Sequence, residues 1–118
     1  MYIIRKQFEF SASHQLDDLP DGHKCARLHG HNYVVEIELW SSELNDYGFV
    51  VDYGDLKSLK DYIDSHLDHR HLNDVLDFQT SAENIARHLF KFCKSQWSET
   101  EAVRVSETPK TWAEYNYK

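Results

Sequence analysis

The chain has 118 residues, a formal net charge of −7, and 41% hydrophobic and 14% aromatic residues. That length fits one domain, residues 1–118, and the apolar content is enough for a packed core, which excludes wholesale disorder. The acidic balance argues against nucleic acid as the main partner, because phosphate contacts need a basic surface. A core this small leaves little interior for a deep private pocket, so a ligand site is expected where subunits meet.

Met1 to Lys6 hold no long apolar run and no small-residue cleavage site, so no signal peptide is expected. No stretch reaches the roughly 20 apolar residues of a membrane span. Cys25 and Cys93 lie far apart, which fits a reducing cytoplasm better than a disulfide scaffold. The unusual count is histidine, eight in all.

Tyr2 to Ala12 alternates, with Tyr2, Ile4, Phe8, Phe10 and Ala12 on one parity, and reads as a half-buried strand. Residues 15 to 28 read as a loop, with Pro20 and Asp21-Gly22 as turn signals. His29 to Trp40 alternates again, with Tyr33, Val35, Ile37 and Leu39 on the apolar face. Asn45 to Gly48 is a turn, and Phe49-Val50-Val51 reads as a short extended piece.

From Asp55, a plausible N-cap, Leu56, Leu59, Ile63 and Leu67 recur at helical spacing. Asp68 to Gln79 reads as a connection. Ser81 caps a second helix carrying Ile85, Leu89, Phe92 and Cys93 on one face. Ala102 to Glu107 and Thr111 to Tyr117 are the last two strands. The order strand, strand, helix, helix, strand, strand implies an α+β layer: an antiparallel four-stranded sheet with both helices on one face.

The alternation places three histidines on that apolar face. His29 and His31 share parity with Tyr33 and Val35, and His14 shares parity with Phe10 and Ala12. Three imidazoles from neighbouring strand ends match a zinc site with an open fourth position. The ligand type also admits iron, nickel and cobalt. Gly30 between two of them suggests a close backbone approach.

Cys25 lies four residues before His29, flanked by Lys24 and Arg27, which favour a thiolate. It reads equally as a base or nucleophile facing the metal, a small buried residue, or a fourth ligand closing the site. Cys93, on a helical apolar stripe, reads as core. Asp68 beside His69 can fix a tautomer or relay a proton; spacing alone favours a solvated helix end. His23, His66 and His88 read as surface or boundary residues. Glu107 shares parity with Val103 and Val105, so its carboxylate needs a partner. A ligand with two parallel N–H donors, a local Lys or Arg, or solvent would each serve.

Taken together, Phe10-Ser11-Ala12-Ser13-His14, Gly22-His23-Lys24-Cys25, Leu28-His29-Gly30-His31, Asp52, Leu67-Asp68-His69, Leu72-Asn73, Ala82-Glu83-Asn84 and Ser106-Glu107-Thr108 run in order through the whole chain. In them the sequence resembles the 6-pyruvoyl-tetrahydropterin synthase family. The resemblance is greatest to its bacterial branch, which makes 6-carboxy-5,6,7,8-tetrahydropterin for queuosine biosynthesis. Three residues separate Cys25 from His29, as in that branch.

The resemblance implies a tunnelling fold, a ββααββ subunit that closes a trimeric barrel by edge pairing, with two barrels stacked as a hexamer. It implies zinc on His14, His29 and His31, with Cys25 as proton-abstracting residue. Asp68 and His69 would complete a relay from another subunit. Glu107 would anchor the pterin by its 2-amino and ring N–H edge, with Ser81 beside it. The implied substrate is 7,8-dihydroneopterin triphosphate, cleaved to the carboxypterin, acetaldehyde and triphosphate. Lys24 and Arg27 would offset the chain's negative charge near the phosphates. Two other readings stand beside this lyase: a pyruvoyl-pterin synthase that only eliminates triphosphate, and a zinc-stabilised pterin-binding module without turnover. The segments Gln79-Thr80-Ser81 and Pro109-Lys110-Thr111-Trp112 depart from the family's commoner residues, as does Ser13.

Overall fold

Alternation produces long strands at both ends of the chain. In the computed structural model, which describes residues 1–118, the elements in order are β1 (Tyr2–His14), β2 (His29–Ser41), α1 (Lys57–His66), β3 (Arg70–His71), α2 (Leu72–Val75), α3 (Ala82–Gln96), β4 (Thr100–Thr108) and β5 (Thr111–Asn116). β1 and β2 pair antiparallel in one unbroken register, from Tyr2 opposite Ser41 to His14 opposite His29. β4 pairs antiparallel with β2, and β5 with β4.

The expected apolar parities face a single core. Phe8, Phe10 and Ala12 of β1, the run Tyr33, Val35, Ile37, Leu39 of β2, and Val103 and Val105 of β4 are all buried. The helices cover this face with Leu59 and Ile63 of α1, and with Ile85, Ala86, Leu89, Phe90 and Cys93 of α3. Phe92 packs at the margin, partly buried. Burial pushes the Cys93 thiol up to about 12, so this cysteine is an inert core group, as expected.

Four features differ from the sequence expectations. Segment 68–79 is more than a connection: it holds β3 and the single-turn α2, both too short to show a period. β3 runs parallel to β1 beside Ala12 and Ser13, so the four antiparallel strands gain a two-residue fifth at the edge, in the order β3-β1-β2-β4-β5. The N-cap at the first helix is Asp52, not Asp55. The Asp52 carboxylate accepts from Gly54 N at 2.8 Å and opens a 3-10 turn, Tyr53–Leu56, that contains Asp55 and runs into α1. Phe49-Val50-Val51 joins no strand; Val50 and Val51 are apolar because they pack on the core from outside the sheet.

The opposite face of the sheet is charged. Glu38, only 4% exposed, accepts from Arg5 Nε at 2.6 Å and from Trp40 Nε1 at 2.7 Å. Arg104 Nη1 lies 3.0 Å from carboxylate oxygens of both Glu36 and Glu38, and its Nε lies 2.6 Å from Glu114. Burial alone would raise the Glu38 carboxyl. The hydrogen bonds from Arg5, Trp40 and Arg104 outweigh it and hold the group below its ordinary value. Its contribution is therefore full at neutral pH and is lost as pH falls below about 4.5. Glu38→Ala should cost about 1–3 kcal/mol at pH 7 by urea denaturation, because Arg104 keeps two other carboxylates. The gap to the parent chain should narrow as the titration is repeated toward pH 3; a gap independent of pH would refute the ion-pair account.

Candidate metal centre and active site

The β1–β2 register brings the three expected histidines together. His14 ends β1 directly opposite His29, and His31 lies opposite Ala12 two residue pairs further in. Their ring centroids are 4.5, 4.8 and 5.1 Å apart. A methyl at Gly30 would meet the Ala12 carbonyl at 3.4 Å, which is ordinary contact, so the glycine eases the approach without being forced by it.

The backs of two rings are fixed by carbonyls. His14 Nδ1 donates to Thr80 O at 2.7 Å, and His29 Nδ1 donates to Arg27 O at 2.7 Å. A carbonyl only accepts, so each Nδ1 carries the hydrogen and each neutral ring offers a bare Nε2 lone pair. These two Nε2 atoms face each other at 2.9 Å. Burial lowers the pKa of His14, which has no exposed surface, and of His31, so both rings favour the neutral form. Two lone pairs at that distance repel unless a cation lies between them. The third ring fits the same account: His31 Nε2 is buried with no properly aligned hydrogen bond. Fixed tautomers, converging lone pairs and an orphaned nitrogen are what a zinc-type ion requires, and the orienting carbonyls are the outer partners such ligands normally have.

A fourth group completes the cluster, and it is Glu107. Its carboxylate and the three histidine nitrogens all lie within 4.8 Å of one another. Oε2 is 3.0 Å from His31 Nε2 and 3.7 Å from His14 Nε2. Of the partners considered for Glu107, a local Lys or Arg is absent. The parity of β4 turns the side chain toward the histidines, where it is 24% exposed. The sequence signal for this was present, since Glu107 and the histidines share the apolar face.

Cys25 is not in the cluster, so its reading as a fourth ligand is corrected. It sits half-buried in a 3-10 turn, Lys24–Ala26. The turn is pinned at both ends: Cys25 N donates to His23 Nδ1 at 3.1 Å, and Cys25 O accepts from Leu16 N at 3.0 Å. His23 is thus a cap, a role that its exposed position in the sequence did not reveal. Lys24 opens the turn and Arg27 follows it, both exposed.

Asp68 and His69 form a dyad and not a loose helix end. Asp68 Oδ1 accepts from Ser11 N at 2.9 Å, and Oδ2 lies 2.9 Å from His69 Nδ1. The Ser11 N–H, followed by His69, holds the Asp68 carboxyl below its ordinary value. His69 adopts φ +58°, rare for a side-chain-bearing residue, and its ring is 82% exposed. Asp68 lines, with His31 and Glu107, a cleft of about 780 Å³. His69 lines an adjoining one of about 490 Å³, with His31 and His71.

Ser81 does cap α3, accepting from Asn84 N at 3.2 Å. Its neighbour Thr80 is fully buried and supplies the carbonyl that orients His14, a backbone role no side-chain pattern discloses. Asn73 and Gln79 each exchange two hydrogen bonds with the backbone, at Gln15 and Asp17 respectively. They clamp the chain just after His14. Tyr33, also missed, lies buried below His14 and His31 with its hydroxyl unpartnered.

The sequence profile of 6-pyruvoyl tetrahydropterin synthase matches residues 3–118. The chain belongs to this family. It is 37% identical to a Synechocystis 6-carboxy-5,6,7,8-tetrahydropterin synthase, over 98% of this chain and 93% of that one. It is 33% identical to the Haemophilus influenzae protein of the same name, over 98% and 99%. The solved Caenorhabditis elegans 6-pyruvoyl tetrahydropterin synthase superposes with a TM-score of 0.86 at 29% identity, covering 99% of this chain and 96% of that one. The subunit therefore has the family's tunnelling fold, and the resemblance seen in the motifs holds.

Zinc titrated into chelator-treated protein should bind at one ion per chain. It should raise stability by about 2.7 kcal/mol at a hundredfold excess over Kd. His29→Ala should abolish that rise. A parent chain whose melting does not respond to zinc, cobalt, nickel or iron would refute the metal assignment.

Proposed function

We infer that this chain is a zinc-dependent carbon–carbon lyase. In this reading it converts 7,8-dihydroneopterin triphosphate to 6-carboxy-5,6,7,8-tetrahydropterin, acetaldehyde and triphosphate, in queuosine biosynthesis. The observation that carries it is the facing pair of bare imidazole nitrogens, beside a cleft shared by Glu107 and Asp68. The names of the relatives, at 33–37% identity, support the same reaction.

Each residue has a chemical task. His14, His29 and His31 would hold zinc, which when bound polarises the oxygens of the substrate side chain and acidifies the neighbouring C–H. Glu107 offers two carboxylate oxygens to the two parallel N–H groups of a pterin's 2-amino edge. Cys25, beside Lys24 and Arg27, takes the acidified proton. Asp68 holds the His69 tautomer so that Nε2 can pass a proton onward. The same two cations compensate the triphosphate in a chain of negative charge. Ser81 stands at the pterin's flank.

The exposed His69 ring points to a neighbouring subunit as its customer, and the fold has the means to recruit one. β3 covers only Ala12 and Ser13, so most of β1 has no strand on its outer edge, and neither has β5. Tyr2 and Ile3 on one edge strand and Trp112 and Tyr115 on the other are exposed. The radius of gyration of 15.3 Å exceeds the roughly 13.5 Å of a compact chain this long. Such edges are pairing templates, and three subunits joined edge to edge would remove them. We place the assembly as a hexamer, a dimer of trimers, in the cytoplasm. The last compartment fits two unpaired cysteines; no helix is long and apolar enough to cross a membrane.

Light scattering should give a mass of about six times the 14.0 kDa subunit, and a monomer would refute the interface. Turnover with an aldehyde trap and mass spectrometry should yield acetaldehyde and the carboxypterin. Cys25→Ala should lower kcat by about 10²- to 10⁴-fold with metal content unchanged. A pyruvoyl product without acetaldehyde would move the chain to the triphosphate-eliminating reaction. Binding of zinc and pterin with no product would make it a binding module.

A further inference from the structure

We propose that Glu107 is the fourth ligand of the metal in the substrate-free protein, and that a pterin takes the carboxylate off the metal when it binds. The proposal deepens the reading above and rests on it: the metal site and the pterin site share one residue, which serves them in turn.

The geometry of Glu107 carries the argument. A tetrahedral ion with bonds of about 2.0–2.1 Å separates its ligand atoms by about 3.3 Å. The separations here straddle that value: 2.9 Å between two histidine nitrogens, then 3.0 and 3.7 Å from Glu107 Oε2 to His31 and His14. At 3.0 Å the His31–Glu107 pair is close enough for a hydrogen bond, yet His31 Nε2 has none with proper alignment. His31 Nε2 is therefore not aimed at the Glu107 oxygen, and its lone pair is left for another partner among these groups. Glu107 has no Lys or Arg within ion-pair distance; its only titratable neighbours at that distance are His14 and His31. An anion so placed against neutral rings lacks a counter-charge until a cation sits among them.

The surrounding chain allows the carboxylate to move. Glu107 is near the end of β4, where the ladder to β5 slips between Val105 and Thr108. It also borders the large cleft, so the side chain can turn from the histidines into open space. A pterin edge entering that cleft offers two N–H donors, and a carboxylate bound to them is satisfied as fully as one on the metal. Release would then open the metal to the substrate's own oxygens. In the resting protein the carboxylate would keep water off the metal.

The test uses Glu107→Gln and Glu107→Ala beside the parent chain, each checked for unchanged circular dichroism and oligomeric mass. Zinc affinity is measured by competition with a chromophoric chelator, and coordination by the visible spectrum of the cobalt-loaded protein. Both variants should bind zinc about 10- to 100-fold more weakly and give an altered cobalt spectrum. Unsubstituted pterin, which has the 2-amino edge but no side chain to reach the metal, should shift the parent's cobalt spectrum toward that of Glu107→Ala. Parent-like zinc affinity and cobalt spectra in both variants would overturn the proposal while leaving the lyase reading intact. Pterin that binds by fluorescence quenching but leaves the parent spectrum unmoved would overturn the exchange. A parent chain that takes up no metal would overturn both readings together.

Discussion

The unbroken pairing of β1 with β2 is the constraint on which the rest of the molecule depends. Side chains alternate with a period of two, so a slip by one residue would turn every apolar side chain of one strand to the charged face. The same slip would carry His14 away from His29 and put Gly30 where His31 now stands. Core and candidate metal site are therefore specified by one register. The core enforces it with Phe10 stacked on Tyr33 at 4.7 Å, and the opposite face adds the cross-strand pair Arg5–Glu38. Energy that holds the sheet in register is also energy that holds three nitrogens together before any ion arrives. That is preorganisation: the ordering cost of the ligands is met by folding and not by metal binding.

Much of this was legible in the sequence because alternation is a long-range ruler within one strand. Parity alone placed His14, His29, His31 and Glu107 on the buried face, and all four converge. The long helices were legible by the same logic at a different period. What escaped was carried by the backbone or by very short elements. Thr80 acts through its carbonyl, Asn73 and Gln79 through amides that imitate a strand partner, and none of these leaves a periodic trace. β3 spans two residues, less than one repeat of any pattern. Asp55 and Asp52 are both acceptable caps by type, and only the fold of the preceding loop decides between them. Glu107 was seen as a carboxylate in need of a partner, but the partner comes from β1 and β2, a contact between distant segments.

In the proposed reaction the chemistry is divided between a continuous ladder and shorter, less supported segments of the chain. The histidines stand on a continuous ladder, with two of their outer nitrogens tied to carbonyls. Cys25 stands on a short turn, tied to its surroundings by hydrogen bonds to His23 and Leu16. Asp68 and His69 stand beside Ser11, held by two backbone-directed bonds and a left-handed residue. A metal needs fixed ligands, whereas proton carriers must approach a substrate and then withdraw. The gradient from ladder to turn to exposed ring matches those needs.

That division also explains why so small a chain leaves its site open. A subunit of this size cannot enclose both a metal and a substrate and still fill a core. The clefts beside His31 are accordingly shallow, bordered by strand ends and by a ring that faces outward. The uncovered edges of β1 and β5 answer the same limitation from the other side, since pairing them would wall the clefts with another copy of the chain. On this view assembly is part of the active site's construction. In the proposed assembly, the polar groups that look unfinished in one subunit, the exposed His69 ring above all, are the ones a neighbour would complete.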